Sequence, residues 1–166
     1  LWRARHYHGK SRLWHHRPLK VPNRFRHAPD PDGATRRFER LVLAGLSADL
    51  AAATEGDLAD VLWIACTKAP YLATLAARDV RRLIVAAGDP YLRREKPREV
   101  LFAELSRALK GVTDEPGLNA ALRDFRAREL IRLGVRECGL GHHEEVGREL
   151  SHLADAALDA ALEFHS

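Results

Sequence analysis

A chain of 166 residues and 18.6 kDa, 46% of it apolar, holds enough material for one globular domain with a core and too little for two full domains. Ala (26) and Leu (25) together outnumber Val, Ile and Thr (17) threefold, so helix formers dominate and a β-rich fold is excluded. The net charge of +4 is uneven: residues 1–40 carry 11 Lys/Arg against three Asp/Glu, while the remainder is mildly acidic and offers no extended basic surface.

Residues 1–28 hold five His, eight Lys/Arg and two Trp, with no acid and no helical or strand period. They are expected to form a disordered or loosely attached basic segment. Met is absent even at position 1, and the composition shifts sharply after Ala28, so the start reads as an unnatural one and the chain as an excerpt. Residues 29–33 form a Pro/Asp/Gly junction in which Asp32 can cap the first helix, and 29–166 reads as one helical domain.

From 34 to about 53, Phe38, Leu41, Val42, Leu46 and Leu50 recur at helical spacing. Asp57 can cap a second helix over 58–66, with Leu58, Val61, Leu62 and Ala65 on one face. Pro70 opens a short third helix with Tyr71, Leu72 and Leu75, and 79–87 is a fourth, ended by Gly88 and Pro90. Pro97 opens a fifth through about 110, with Val100, Leu101, Leu105 and Leu109 inward and Gly111 as its stop. Thr113 or Asp114 caps a sixth over about 115–138, and the turn at 139–141 reverses the chain into a seventh over 143–164, whose inward face is Val146, Leu150, Leu153, Ala157 and Ala161. Seven helices with short connections and no internal repeat predict an all-α helical bundle.

Cys66 and Cys138 stand alone, which builds neither a disulfide framework nor a zinc knuckle and predicts a reduced, cytoplasmic setting. The longest apolar runs are far too short to span a bilayer, so no membrane role is expected. The pairs His6/His8, His15/His16 and His142/His143 lack a further donor at ligand spacing, and Asp30 and Asp32 lie between prolines in a loop rather than on a rigid strand, so no metal site is expected. No Ser-His-Asp elbow, GxxxxGK[ST] loop or GxGxxG turn is present.

The sixth helix carries the distinctive pattern. At about 100° per residue, Leu118, Leu122, Phe125 and Leu133 fall on one side, and Ala127, Leu130, Ile131, Gly134 and Cys138 nearly opposite. A helix packed on both sides confines its charges to narrow strips. Asp124 and Arg128 are spaced to pair, as are Glu129 and Arg132, while Arg132 and Arg136 repel unless an acid lies between them. Arg126, Arg132 and Arg136 could form an anion or partner strip; an internal salt-bridge network is the more common use of such residues. Arg126, Arg128, Glu129, Arg132 and Arg136 are therefore the ionic candidates, and Phe125, Leu130, Leu150 and Leu153 the residues expected to hold the long helices together.

The stretch VTDEPGLNAALRDFRARELIRLGVRECGL at 112–140, followed by EEVGRELSHLADAALDAAL at 144–162, resembles the glutamine synthetase adenylyltransferase/adenylyl-removing family. Leu122, Arg123, Phe125, Arg126, Arg128 and Glu129 match its L-R-x-F-R-x-R-E segment, Arg132 a position just after it, and Leu150, Ser151, Leu153, Ala154 and Asp155 its L-S-x-L-A-D/E helix. DPDGATRRFERL at 30–41 and KAPYLATLAARDVRRL at 68–83 are similar to its earlier helices. The resemblance implies the helical lead-in to the first nucleotidyltransferase domain of a bifunctional protein. By that resemblance the C-terminal half of the protein attaches AMP from ATP to a tyrosine of glutamine synthetase and the N-terminal half removes it by phosphorolysis, with Mg²⁺ required and a PII protein and glutamine setting the balance. Residues 29–166 would be the N-terminal part of the adenylyl-removing domain. The family's glycine-rich turn and paired aspartates would lie past residue 166, so this stretch is expected to be catalytically inert by itself and to hold no cofactor. Its partners would be the nucleotidyltransferase domain, glutamine synthetase and PII. A competing expectation is a small helical binding protein whose basic, Trp-containing start stacks on single-stranded nucleic acid, although such a segment is more often an unstructured tail.

Overall fold

The structure, a computed structural model, describes residues 21–47 and 55–165. The expectations for residues 1–20, and for Leu50, fall outside them. Among the described residues a 3-10 helix, Asn23–His27, precedes seven α-helices: α1 Pro31–Leu43, α2 Gly56–Thr67, α3 Pro70–Ala76, α4 Arg81–Ala87, α5 Arg98–Ala108, α6 Glu115–Val135 and α7 His143–Phe164. α6 continues into a π turn, Arg136–Leu140, which Gly141 ends at φ +77°. No strand occurs among the described residues, and no helix there is long and apolar enough to cross a membrane.

Local chemistry accounts for most of the boundaries. The cap of α1 is Asp30 rather than Asp32: its carboxylate accepts the Gly33 N–H at 2.9 Å, and Pro31 takes the first helical position, where a missing N–H costs nothing. Asp114 caps α6 the same way, accepting from Gly117 at 2.8 Å. Asp57 makes no cap; it lies in the first turn of α2 and pairs with Arg93 at 2.6 Å. α1 stops at Leu43, ten residues before the apolar pattern suggests. Gly45 adopts φ +110°, its N–H donates to Val42 O and that of Leu46 to Leu41 O, a left-handed cap that folds Leu46 back onto the core.

Two apolar clusters share α6. Phe25, Phe38, Leu41, Leu62, Leu72 and Leu83 from the 3-10 helix and α1–α4 pack on its Ile131 and Val135. Leu101 and Leu105 of α5, with Val146, Leu153 and Ala156 of α7, pack on its Phe125 and Leu133. α6 is therefore buried from both sides. A Cβ at Gly134 would lie 2.5 Å from the Tyr71 hydroxyl and 2.8 Å from a Leu72 methyl, so any larger residue would have to displace these α3 side chains.

Two further expectations are corrected. The loose segment does not extend to Ala28, because Phe25 is buried against Phe38 (ring centroids 5.4 Å apart) and Trp63 (5.7 Å), which anchors residues 21–28 to the bundle. In α7 the buried stripe is Val146, Glu149, Leu153 and Ala156, and Leu150 is 40% exposed. A carboxylate holds the inward place because two buried guanidiniums on α6 face it.

Candidate functional site

Between the two apolar clusters, a third strip of α6 is polar. Glu129, Arg132 and Arg136 follow at i, i+3 and i+7, and all three are fully buried. Arg132 donates from Nε to Glu129 Oε2 at 2.9 Å, from Nη2 to Glu149 Oε2 at 2.5 Å and from Nη1 to the Tyr91 carbonyl at 3.2 Å. Glu149 thus lies between Arg132 and Arg136, whose Nε is 3.1 Å from its other oxygen, and Arg136 Nη2 donates to Glu145. The like-charge pair at i, i+4 is reconciled by an acid from α7.

The network extends to a residue that nothing in the sequence pattern marks. Lys96, in the loop before α5, is buried, and its Nζ donates to Asp89 at 2.8 Å, Glu104 at 2.9 Å and Glu129 at 3.1 Å. Its backbone N–H donates to Glu149 at 3.1 Å. Arg128 joins through Glu104 at 3.2 Å. Cations of α6 and the loop before α5 are therefore matched by carboxylates from α5, α6, α7 and the loop after α4.

Electrostatics follow from this geometry. Burial works against the charge on Lys96, yet Glu129, with hydrogen bonds to Asp89 and Glu104, outweighs it and holds the ammonium above its ordinary pKa. Arg132 obeys the same logic: burial opposes its charge, and Glu129 and Glu149 prevail. The Asp89, Glu104 and Glu129 oxygens lie within 4.8 Å of one another, close enough to hold a cation, but the Lys96 ammonium already bonds to all three. The donor set does not fit Mg²⁺ while that lysine is present. What the arrangement can do is lock α5, α6 and α7 in one register, because removing Lys96, Glu129 or Glu149 leaves buried charges short of a partner.

Of the sequence candidates, the structure brings Arg128, Glu129, Arg132 and Arg136 into this network and leaves Arg126 exposed on another face, so the three arginines 126, 132 and 136 do not form one strip. Asp124 pairs not with Arg128 but with Arg82 of α4 at 2.8 Å. Phe125 and Leu153 are buried in the α5–α6–α7 cluster, and Leu130 is half-buried and lines an open groove. Sequence reasoning misses Lys96, Asp89, Glu104, Glu145 and Glu149. Glu149 alone leaves a signal, its i+3 spacing from Val146 and i−4 from Leu153. Asp30 caps α1 and pairs with Arg37 at 3.3 Å.

Residues 59–166 match the family model of glutamate-ammonia ligase adenylyltransferase. Over 59 residues the chain is 42% identical to the bifunctional glutamine synthetase adenylyltransferase/adenylyl-removing enzyme of Nitrosococcus oceani, a stretch that makes up 35% of this chain and 6% of that relative. The chain thus spans a small part of the relative's length. No solved structure matches it.

Proposed function

The chain belongs to the glutamate-ammonia ligase adenylyltransferase family, and we propose that its bundle is a non-catalytic scaffold that positions a nucleotidyltransferase domain acting on glutamine synthetase. The supporting observation is the buried network around Arg132, which spends five carboxylates on fixing helix register. Such a network suits an element whose task is to hold its neighbour in one orientation. In this reading ATP and Mg²⁺ are used by the catalytic domain, the reaction serves reversible adenylylation in nitrogen regulation under a PII protein, and the setting is cytoplasmic.

The full-length enzyme carrying Glu149→Gln tests this reading. Removal of AMP from adenylylated glutamine synthetase is expected to fall together with the protease resistance of the bundle, while AMP attachment by the other half persists. A variant whose bundle becomes protease-sensitive yet removes AMP at the full rate would overturn the scaffold role.

A further inference from the structure

A groove of about 430 Å³ opens between α3, α4 and α6. Four guanidiniums line it: Arg78 just after α3, Arg82 on α4, and Arg123 and Arg126 on α6. Its floor is apolar, made by Leu75, Ala127 and Leu130. Asp124 engages Arg82 at 2.8 Å, and the other nearby acid, Asp79, is held by Arg81 at 2.7 Å. Among the described residues no carboxylate forms an ion pair with Arg78, Arg123 or Arg126, all three of which are exposed. The same helix neutralises its buried arginines with acids drawn from its neighbours, yet leaves these unmatched. Mutual repulsion among them brings the fold no return, whereas guanidiniums over an apolar floor fit carboxylates that carry a hydrophobic neighbour.

We propose that this groove docks an acidic polypeptide segment of a partner protein, its carboxylates on Arg78, Arg123 and Arg126 and an apolar side chain on the floor between Leu75 and Leu130. Arg78 follows α3 while Arg123 and Arg126 lie on α6, spread along an open groove, so a string of charges meets them better than one compact anion. The floor has no aromatic ring on which a nucleic-acid base could stack.

The test uses the full chain and a fluorescein-labelled synthetic peptide of repeating Glu-Glu-Leu, followed by anisotropy at low salt and at about 0.5 M salt. Residues 1–28 are basic and attract the peptide in their own right, so the informative comparison leaves them intact and changes the groove. Replacing Arg78, Arg123 and Arg126 together by Glu is expected to weaken binding about tenfold or more, with the melting temperature reporting on the fold. Should that variant fail to fold, Arg126→Gln alone is expected to weaken binding about threefold. A peptide with Ser in place of Leu is expected to bind more weakly than its parent. Unchanged affinity in the folded groove variants, equal affinity for the Ser peptide, or equally effective competition by inorganic pyrophosphate or an oligonucleotide would each overturn the proposal.

Discussion

Glu149 of α7 is 1% exposed and Arg132 of α6 is 0% exposed, and each is the other's reason for being inside. One carboxylate oxygen accepts from Arg132 at 2.5 Å while the second lies 3.1 Å from Arg136, so a single acid neutralises the seam between two long helices. Glu149→Ala leaves two guanidiniums buried without their shared partner and is expected to cost about 3 to 5 kcal/mol in urea denaturation. Leu150→Ala, one position away at the exposed edge, is expected to cost less than about 1 kcal/mol. Equal costs at the two positions would show that α7 does not present Glu149 to the seam.

Phe125 is 3% exposed in the cluster that α6 shares with α5 and α7, while Ile131 is fully buried in the opposite cluster. Phe125→Ala is expected to destabilise by about 3 to 5 kcal/mol, and Ile131→Ala by about 2 to 5 kcal/mol. Denaturant midpoints measure both. A cost below about 1 kcal/mol at either position would contradict burial of α6 from two sides.

Lys96 plays the part of a fixed internal cation. Lys96→Ala leaves the Asp89, Glu104 and Glu129 oxygens within 4.8 Å of one another around a vacated volume, so the variant should melt at a lower temperature. Millimolar Ca²⁺ is expected to restore part of that loss in the variant and to leave the parent chain unchanged. Thermal melts with Ca²⁺ and with EDTA decide the matter; no cation response in the variant would mean that the carboxylates separate once the ammonium is gone.

Alkaline pH should weaken the fold in two stages. Burial pushes the Cys66 thiol up to about 12, against weaker opposing effects of Arg37 and Arg24. From about pH 8.5, where an unfolded thiol ionises, the unfolded chain sheds a proton that the folded chain keeps, and stability falls. Lys96, with burial outweighed by Glu129, Asp89 and Glu104, also holds its proton more tightly when folded. Its contribution is complete below about pH 10.4, the ordinary lysine value, and is lost as pH rises through the higher folded value. Urea midpoints between pH 8 and 12 are expected to decline, and Cys66→Ala should flatten the first part of the decline. An identical curve for that variant would remove Cys66 from the account.

The helices were legible because their cues are local. Pro70 and Pro116 mark first turns, Asp114 supplies a capping oxygen, and the apolar residues of α6 point in two directions whatever packs on them; at α1 the choice between Asp30 and Asp32 as cap was settled only by the backbone. Glu129 and Arg132 meet through helical spacing alone. The limits of that reading are equally physical. The stripe of α1 continues past Leu43 in the sequence, but Gly45 can adopt a positive φ and the Leu46 contact with the core rewards it. Phe25 lies in a stretch without period, and a single aromatic ring is enough to hold a short segment once Phe38 and Trp63 form a surface for it.

By itself the sequence determined an all-α bundle built around a long helix with two apolar faces, because helix propensity, capping and a 3.6-residue period are properties of neighbours along the chain. Only the tertiary structure decided that Glu149 rather than Leu150 turns inward, that Lys96 is buried, and that Arg126 stands apart from Arg132 and Arg136. Burying a charge is unfavourable until its partners are in place, and here, the Glu129–Arg132 pair apart, those partners come from positions 7 to 33 residues away, beyond the reach of any local pattern.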